Sequence, residues 1–214
     1  MKKLISKSVA ERKNIPNILL NWYKDNGRTL PWRSKNETNL VIRKNYPYLI
    51  WVSEIMLQQT TVKVVIPYFN LFIDTWPTVF DLANAKEEDV YSIWAGLGYY
   101  SRARNLIKCA RIISQDYKGH FPSSVEELLK LPGIGPYTSA AIVAIAFGKK
   151  ATVVDANVER VMARIFSLRK PIIEVKKQIY ALSDKLTPTE RPGDYAQAVM
   201  DLGATICRPI SPLC

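Results

Sequence analysis

Two acidic side chains lie where a carboxyl group could do proton or charge chemistry, and the first is Glu54. It stands in the middle of the apolar run YLIWVSEIMLQQT, whose apolar residues nearly encircle a predicted helix. Burying a lone carboxylate is costly, so a buried carboxyl is usually protonated or paired. Glu54 is therefore a candidate acid, and the neighbouring amides of Gln58 and Gln59 offer hydrogen bonds in the same place. An ion-paired structural glutamate, or one on the exposed edge of the helix, is the alternative.

Asp155 is the second acidic candidate. It follows the segment TVV and precedes the helical pattern NVERVMARIF, where a helix N-cap belongs. Aspartate is a preferred capping residue, so a purely structural role would account for it. The positive end of a helix also favours an ionised carboxylate, so capping and chemistry are compatible at this position.

A glycine hairpin, LPGIGPY, precedes Asp155 by about 20 residues. Gly133 and Gly135 permit positive φ and close backbone approach, and Pro136 suits the first turn of the helix that follows. Such a hairpin directs several backbone N–H groups at one spot, which suits a phosphate and needs no particular base sequence. A plain structural turn between two helices is the alternative.

A second glycine turn, GLGYYSRARN, combines aromatic and basic side chains. Tyr99 and Tyr100 precede Arg102 and Arg104 at the start of a long predicted helix. Aromatic rings stack on bases and arginines neutralise phosphates, so this turn is a candidate nucleic-acid contact. Core tyrosines beside solvated arginines are the alternative.

The three cysteines divide into two kinds. Cys109 lies inside a helical pattern and reads as a small buried apolar residue. Cys207 and Cys214 lie seven residues apart in CRPISPLC. A disulfide between them is disfavoured in a reducing compartment, and two thiolates at this spacing resemble half of a metal site.

Composition limits the possible classes of protein. With 214 residues, 48% of them hydrophobic, the chain can form one large domain or two small ones. The net charge of +11 fits nucleic acid, an anionic membrane surface or simple solubility. Because no run of 18 apolar residues occurs and the N-terminus has no apolar core, we expect a soluble cytoplasmic protein.

Helical periodicity dominates, and no convincing strand occurs, so the predicted class is all-α. Residues 34–45 are polar and read as a loop or insertion. Two capping boxes are predicted, from Thr78 to Asp81 and from Ser123 to Glu126. Ile15, Ile18, Leu19, Trp22 and Tyr23 should lie on one face of the first helix. The predicted helices cover 8–26, 47–60, 62–76, 87–94, 102–117, 125–130, 136–148, 157–166, 173–186 and 195–206.

Several blocks together resemble one family. LPWR, PYLIWVSEIMLQQTTV, GLGYYSRARN, LPGIGPYTSAAI, VVDANVERVMAR and DLGATIC stand in the order typical of the helix-hairpin-helix base-excision glycosylases. Among these, the chain is most similar to the MutY-type adenine DNA glycosylases. The resemblance implies two helical domains, a six-helix domain at 47–148 and a second domain from 1–46 with 149–214. It also implies a monomer that binds double-stranded DNA, near the nucleoid, without a membrane partner.

The resemblance implies a role for each carboxyl group. Family members flip an adenine mispaired with 8-oxoguanine or guanine out of the duplex and hydrolyse its N-glycosidic bond. Glu54 matches the acid that protonates the adenine. Asp155 matches the carboxylate that stabilises the sugar cation and captures it before water attacks. Tyr137 and Asn157 match residues that hydrogen-bond around the reacting nucleoside.

Other matched residues imply contacts to DNA. Gln59 and Tyr99 match side chains that enter the base stack, and the hairpin matches a phosphate anchor. The candidate DNA-binding set is Trp32, Arg33, Gln59, Tyr99, Arg102, Gly133 and Gly135. Endonuclease III-type relatives carry a lysine at the position of Tyr137 and form a Schiff base with it. The phenol predicts a monofunctional glycosylase without strand-cleaving lyase activity.

The family pattern also includes a 4Fe-4S cluster held by four cysteines. Only Cys207 and Cys214 match, as half of the ligand set, so we expect the cluster to be incomplete or absent in this chain. The region that family members use to recognise 8-oxoguanine is not matched either, which predicts a fragment or a shortened reading frame with weak discrimination of the opposite base. The alternatives are an endonuclease III-like pyrimidine glycosylase and a catalytically inactive DNA-binding fragment.

Overall fold

The computed structural model describes residues 14–33 and 40–214, with the backbone alone at 40–44. Every regular element in these ranges is helical, which confirms the all-α class. Directly after residue 141, the helical chain continues without a break into a π-helical turn at Ile142–Ala146. The helices are α1 (Ile15–Asn26), α2 (Leu40–Met56), α3 (Val62–Thr75), α4 (Val79–Ala83), α5 (Glu87–Trp94), α6 (Ser101–Gln115), α7 (Val125–Leu128), α8 (Pro136–Ala141), α9 (Ala156–Ile165), α10 (Ile172–Leu186) and α11 (Pro192–Thr205).

The described chain forms two compact units. The central unit is Thr29–Ile142, and the terminal unit combines Met1–Arg28 with Val143–Cys214. The sequence predicted a six-helix domain at 47–148. The observed central unit begins and ends earlier in the chain than that prediction. Both divisions place the two chain ends together and the hairpin in the middle segment.

The core of the central unit is built around α2. This helix packs against α3, α6 and α8, and α4 packs against α6. Trp51, Val52 and Met56 of α2 are fully buried, together with Phe72 and Trp94 from the neighbouring helices. Burial of large apolar side chains is the main favourable term in folding, so α2 is held firmly in place.

The loop predicted for 34–45 is wrong in its second half. Helix α2 begins at Leu40 and contains Pro47 in its interior. A proline inside a helix removes one backbone hydrogen bond and usually ends the helix, which is why the sequence pattern placed the boundary there. Burial of Tyr48, Ile50 and Trp51 just beyond it offsets this cost. Residues 34–39 of the predicted loop lie outside the described part of the chain.

Helix α1 buries most of the predicted face, including Ile15, Leu19 and Tyr23. The buried residues are Ile15, Leu19, Leu20 and Tyr23, whereas Ile18 is exposed. These four form a stripe that packs against α11 in the terminal unit. Helical periodicity alone does not fix which side of an apolar helix meets its partner. The predicted start at residue 8 lies outside the described residues.

The two predicted capping boxes had different outcomes. The first is confirmed, because Thr78 Oγ1 accepts from Asp81 N while Asp81 Oδ2 accepts from Thr78 N. The second is displaced by one residue: Ser124 caps α7 and accepts from Glu127 N. The doublet of serines in this segment makes either register compatible with the pattern.

The terminal unit packs α9 against α10 and α11, and α1 against α11. A partly buried ion pair joins the two chain segments that make up this unit. Arg28 Nε lies 2.6 Å from Asp201 Oδ1, and the Arg28 backbone N–H donates to Oδ2 at 2.8 Å. Over the described residues, none of the helices has the length and apolar character needed to cross a membrane.

Candidate active site

Glu54 lies in the last turn of α2 and is buried, as the sequence predicted. Glu54 is only 6% exposed, and its neighbours Ser53 and Ile55 are 0% and 3% exposed. The alternative in which Glu54 occupies the exposed edge of the helix is therefore wrong. The carboxyl group is therefore held by a helix that packs into the core of the central unit.

Asp155 is the N-cap of α9, which confirms the predicted capping role. Its Oδ1 accepts from the Val158 backbone N–H at 2.7 Å, and its Oδ2 accepts from Asn157 Nδ2 at 2.9 Å. The residue is half-buried, so the carboxylate has both fixed donors and access to solvent. Both oxygens act as acceptors at the positive end of a helix, an arrangement suited to a negative charge.

Arg160 fixes the side chain of Asn157. Its Nη2 donates to Asn157 Oδ1 at 2.7 Å and to the Gly203 carbonyl at 2.8 Å, and its Nε donates to the Cys207 carbonyl at 2.8 Å. Arg160 thus connects α9 with the end of α11 and sets the amide orientation in which Asn157 donates to Asp155. The sequence analysis missed Arg160, although its i,i+3 spacing from Asn157 predicts side-chain contact on a helix.

A close approach of α11 to α9 supports the same group of residues. A Cβ atom at Gly203 would lie 2.6 Å from the Asn157 Cβ and 3.1 Å from its carbonyl oxygen. Only a residue without a side chain fits there, because the conflict includes backbone atoms. Gly203 therefore allows α11 to pack directly on the turn that carries Asp155 and Asn157.

The predicted hairpin joins α7 to α8 in the central unit. Gly133 has φ +77°, and a Cβ there would lie 2.8 Å from the Asn105 Cβ, so both the backbone and the space require glycine. Gly135 is the extended N-cap of α8, and no heavy atom lies within 4 Å of its ideal Cβ position. The hairpin is anchored by the buried side chains of Leu131 and Ile134. Tyr137, in the first turn of α8, is half-buried.

Gln59 and Tyr99 lie on two turns of the central unit, and both are exposed. Each has left-handed backbone, with φ +58° at Gln59 and +50° at Tyr99. Tyr99 is 63% exposed and Tyr100 is 46% exposed. The alternative of core tyrosines is therefore wrong, and the aromatic rings of this turn face solvent.

The prediction that Arg102 contacts DNA phosphates needs correction. The residue is buried, and its guanidinium donates to five backbone carbonyls, those of Ile55, Met56, Gln58, Leu97 and Gly98. Burial lowers the pKa of Arg102 from its usual value. A guanidinium committed to main-chain acceptors is not available to a phosphate. Arg104, two residues later, is exposed and fits that role better.

Trp32 and Arg33 lie in the central unit beside the core. Trp32 is 4% exposed, and its ring meets Phe69 edge-on with centroids 5.2 Å apart. Arg33 is half-buried, and its backbone N–H donates to the Leu30 carbonyl at 2.9 Å. Their contact with DNA stays a prediction, and Trp32 in this structure is a packing residue.

Residues 52–188 match the family described as HhH-GPD superfamily base excision DNA repair protein. This segment includes Glu54, the hairpin and Asp155. The chain belongs to this superfamily. The family resemblance in the sequence is thereby confirmed, and so is the helix-hairpin-helix fold.

Curated relatives of this HhH-GPD protein carry the name adenine DNA glycosylase. The human protein is 44% identical over 97% of this chain and 38% of its own length. The protein of Buchnera aphidicola subsp. Baizongia pistaciae (strain Bp) is 41% identical, over 92% of this chain and 54% of its own. The Arabidopsis thaliana protein is 38% identical, over 97% of this chain and 36% of its own length. The chain thus spans between about a third and about half of the length of these relatives.

Two solved structures illustrate the similarity in fold. A thermostable thymine-DNA glycosylase has a TM-score of 0.82 and 29% identity, covering 97% of this chain and 93% of that one. A non-covalent endonuclease III–DNA complex has a TM-score of 0.75 and 24% identity, covering 97% of this chain and 91% of that one. At that identity the second likeness supports the fold alone.

Cys207 and Cys214 match half of the cluster ligand set that the family resemblance implies. Cys207 is buried, and its Sγ accepts from Arg164 Nη1 at 3.3 Å, while Cys214 is exposed. However, no group of three or more histidine, cysteine or acidic side chains in the described part of the chain could hold a metal ion. Two thiols do not fit a 4Fe-4S cluster, so no step of the chemistry is assigned to one.

Cys109 differs from the other two cysteines. It lies fully buried in α6, and burial raises the pKa of its thiol well above the usual range. The prediction that it is a small core residue is confirmed.

Proposed function

We propose that this chain is the glycosylase portion of a monofunctional enzyme that removes adenine mispaired with 8-oxoguanine or guanine. The reaction is hydrolysis of the N-glycosidic bond in double-stranded DNA. The observation that carries the proposal is the identity of 38% to 44% with proteins named adenine DNA glycosylase over 97% of this chain. The buried carboxyl of Glu54 and the capped carboxylate of Asp155 support it chemically.

In the proposed reaction the two carboxyl groups do different work. Glu54, held in a core helix, donates a proton to the departing adenine, and the bond between the base and C1′ of the sugar breaks. Positive charge develops on the sugar, and the Asp155 carboxylate stabilises it until water attacks C1′. One protonated acid and one ionised carboxylate is the same division of roles as in glycoside hydrolysis.

Tyr137 supports a monofunctional reaction. A phenol has no amine with which to form a Schiff base at C1′, so the sugar is released by water rather than held on a lysine. The half-buried ring in the first turn of α8 can instead contact the nucleotide through its hydroxyl. The expected product is an abasic site in an intact strand.

DNA binding in this proposal uses charge and two exposed turns. The net charge of +11 favours phosphates, and the hairpin offers backbone N–H groups around Gly133 and Gly135. Gln59 and Tyr99 enter the base stack from their turns and help the adenine leave it. The proposal places the chain with chromosomal DNA in the cytoplasm, as a monomer.

The test is single-turnover release of free base from matched duplexes that contain A:8-oxoguanine, A:G or T:G. We expect adenine release from the first two and none from T:G, with loss of release in Glu54→Gln. This variant keeps nearly the same side-chain volume but has no carboxylic proton to donate. Binding of the wild-type chain should weaken steeply as salt increases, because phosphate contacts release counterions. Wild-type rates that Glu54→Gln leaves unchanged would exclude Glu54 as the acid.

A second candidate is a pyrimidine glycosylase, favoured by the likeness to a thymine-DNA glycosylase at 29% identity. The T:G duplex in the same experiment decides between the two. Release of thymine without adenine would favour this candidate. Tight, salt-dependent binding with no base release from any duplex would favour a catalytically inactive DNA-binding module.

A further inference from the structure

Gln59 and Tyr99, on different turns of the central unit, share an unusual backbone conformation. Both have left-handed φ, at +58° and +50°, without being glycine. Such residues are uncommon, and the conformation persists only where the surrounding structure holds it. Both side chains are exposed, so their burial contributes little to holding these two turns.

One buried guanidinium bonds to both turns. Arg102 Nη1 donates to the Gln58 carbonyl at 2.6 Å, and Arg102 Nη2 donates to the Gly98 carbonyl at 3.1 Å. Gln58 and Gly98 are the residues directly before Gln59 and Tyr99. Each of these carbonyls belongs to the peptide group that leads into a left-handed residue. Fixing the two peptide planes therefore restricts φ at both positions.

Three further carbonyls hold the guanidinium itself in place. Nη1 also donates to Ile55 at 2.9 Å and to Met56 at 3.1 Å, at the end of α2, and Nη2 donates to Leu97 at 2.8 Å. The unbonded carbonyls at the end of a helix are natural acceptors for a cation. Arg102 is thus anchored to the C-terminal end of α2 while it contacts the two turns.

Aromatic rings complete this arrangement. The guanidinium carbon of Arg102 lies 5.4 Å from the ring centroid of Trp94 and 5.6 Å from that of Tyr99. Trp94 Nε1 also donates to the Gly98 carbonyl at 3.1 Å, so that carbonyl has two donors. Stacking on a cation orients the exposed Tyr99 ring. A lysine could not replace these contacts, because its donors all lie on one atom rather than on a planar fork.

We propose that Arg102 is a positioning residue that holds Gln59 and Tyr99 at a fixed separation and orientation, so that both enter the base stack together. This inference rests on the proposed function, in which those two side chains enter the DNA. Arg102 itself contacts no base and no phosphate in this account. It acts by keeping two turns from different parts of the sequence in one rigid unit.

The first test follows base extrusion with 2-aminopurine placed next to the mispaired adenine, whose fluorescence rises when the stack opens. We expect Arg102→Lys to lower the fraction extruded at saturating protein by about tenfold or more, as for other small misplacements of binding groups. Arg111→Lys is the matched control on the same helix α6. Arg111 Nη1 donates to Glu87 Oε1 at 2.9 Å and bonds to neither turn. Equal signals from Arg102→Lys and wild type would overturn the proposal. No signal from wild type would instead count against the proposed function.

A double-mutant cycle separates positioning from a general loss of structure. In a chain with Gln59→Ala and Tyr99→Ala, adding Arg102→Lys should lower extrusion no further, because the residues it positions are already gone. Additive losses would mean that Arg102 acts on DNA or on the fold independently of the two turns. That result would overturn the proposal.

A stability measurement decides the same question without DNA. Glycine adopts left-handed backbone freely, so Gln59→Gly and Tyr99→Gly should recover Tm in the Arg102→Lys background by more than they change it in wild type. An equal effect in both backgrounds contradicts the proposal. If Arg102→Lys does not fold, and the two glycines do not restore folding, Arg102 serves the fold in general and the positioning role is excluded.

Discussion

Asn157 Nδ2 donates a 2.9 Å hydrogen bond to Asp155 Oδ2 at the start of α9. The amide can donate in this direction because Arg160 occupies its oxygen at 2.7 Å. The orientation of the Asp155 carboxylate is therefore set by its own helix through two successive hydrogen bonds. In the proposed reaction this carboxylate must face a developing positive charge, so its orientation matters as much as its ionisation.

Replacing Asp155 by asparagine should remove chemistry and leave the fold intact. Asparagine caps a helix about as well as aspartate does, so Tm should change little. The charge that stabilises the sugar cation is lost, and single-turnover adenine release should fall by about 10² to 10³-fold. Binding to the mispaired duplex, measured in parallel, should persist. A variant that retains the wild-type rate would show that Asp155 is only a cap.

Arg160→Met should affect both rate and stability. It leaves the Gly203 and Cys207 carbonyls without this donor, which should lower the free energy of unfolding by about 2 kcal/mol. It also frees the Asn157 amide, so the adenine-release rate should fall at temperatures where the variant is fully folded. Circular dichroism on heating and single-turnover rates at low temperature measure the two effects. A loss of stability with an unchanged rate would confine Arg160 to a structural role.

Borohydride trapping tests the role of Tyr137. The wild-type chain should give no covalent adduct with its product DNA, because a phenol forms no reducible Schiff base. Tyr137→Lys introduces an amine at that position and should produce a trapped adduct visible as a shifted band on a denaturing gel. Tyr137→Phe is the control, and it should stay free of adduct. An efficient adduct with the wild-type chain, dependent on one of its lysines, would contradict a monofunctional reaction.

The ion pair between Arg28 and Asp201 should contribute strongly to stability. The Asp201 side chain is fully buried, and removing its partner leaves a charge with less compensation in the core. Arg28→Met should lower the free energy of unfolding by about 3 kcal/mol. The exposed pair of Arg191 and Asp194 offers a matched comparison, and Arg191→Met should cost about 0.5 kcal/mol or less. Similar losses from both substitutions in urea titrations would contradict this difference.

The sequence predicts local features better than it predicts which groups each side chain contacts. The buried position of Glu54, the N-cap at Asp155 and the glycine hairpin follow from short patterns whose physical causes are local. The sequence pattern predicts a DNA contact for Arg102, because arginine beside tyrosine suits nucleic acid. Its acceptors near Ile55 are more than 40 residues away in the chain, and no local pattern marks a main-chain carbonyl as an acceptor.

The position of helix boundaries shows the same limit. Pro47 suggests a helix start, because proline is unfavourable inside a helix. The structure continues the helix back to Leu40, since the burial that stabilises α2 comes from long-range packing. The buried side of α1 is likewise decided by α11, which follows about 170 residues later in the sequence.

Alkaline pH should destabilise the chain first through Cys109. Burial raises the pKa of this thiol in the folded state, so the folded protein holds the proton more tightly than the unfolded chain does. Its contribution to stability is complete below the unfolded pKa of about 8.5 and decreases as pH rises above it, by about 2 kcal/mol at pH 10. Tyr48 and Tyr195, whose pKa values burial also raises, act only above about pH 10, where unfolded tyrosine ionises.

Urea unfolding at several pH values between 7 and 10 measures this effect. Cys109→Ala removes the titrating group, so its stability should depend less on pH in this window than that of wild type. The readout is the slope with pH, because the smaller side chain also changes packing in α6 and shifts stability at every pH. Cys214→Ala is the matched control, since that thiol is exposed, and it should keep the wild-type slope. Parallel slopes for wild type and Cys109→Ala would show that another group governs alkaline unfolding.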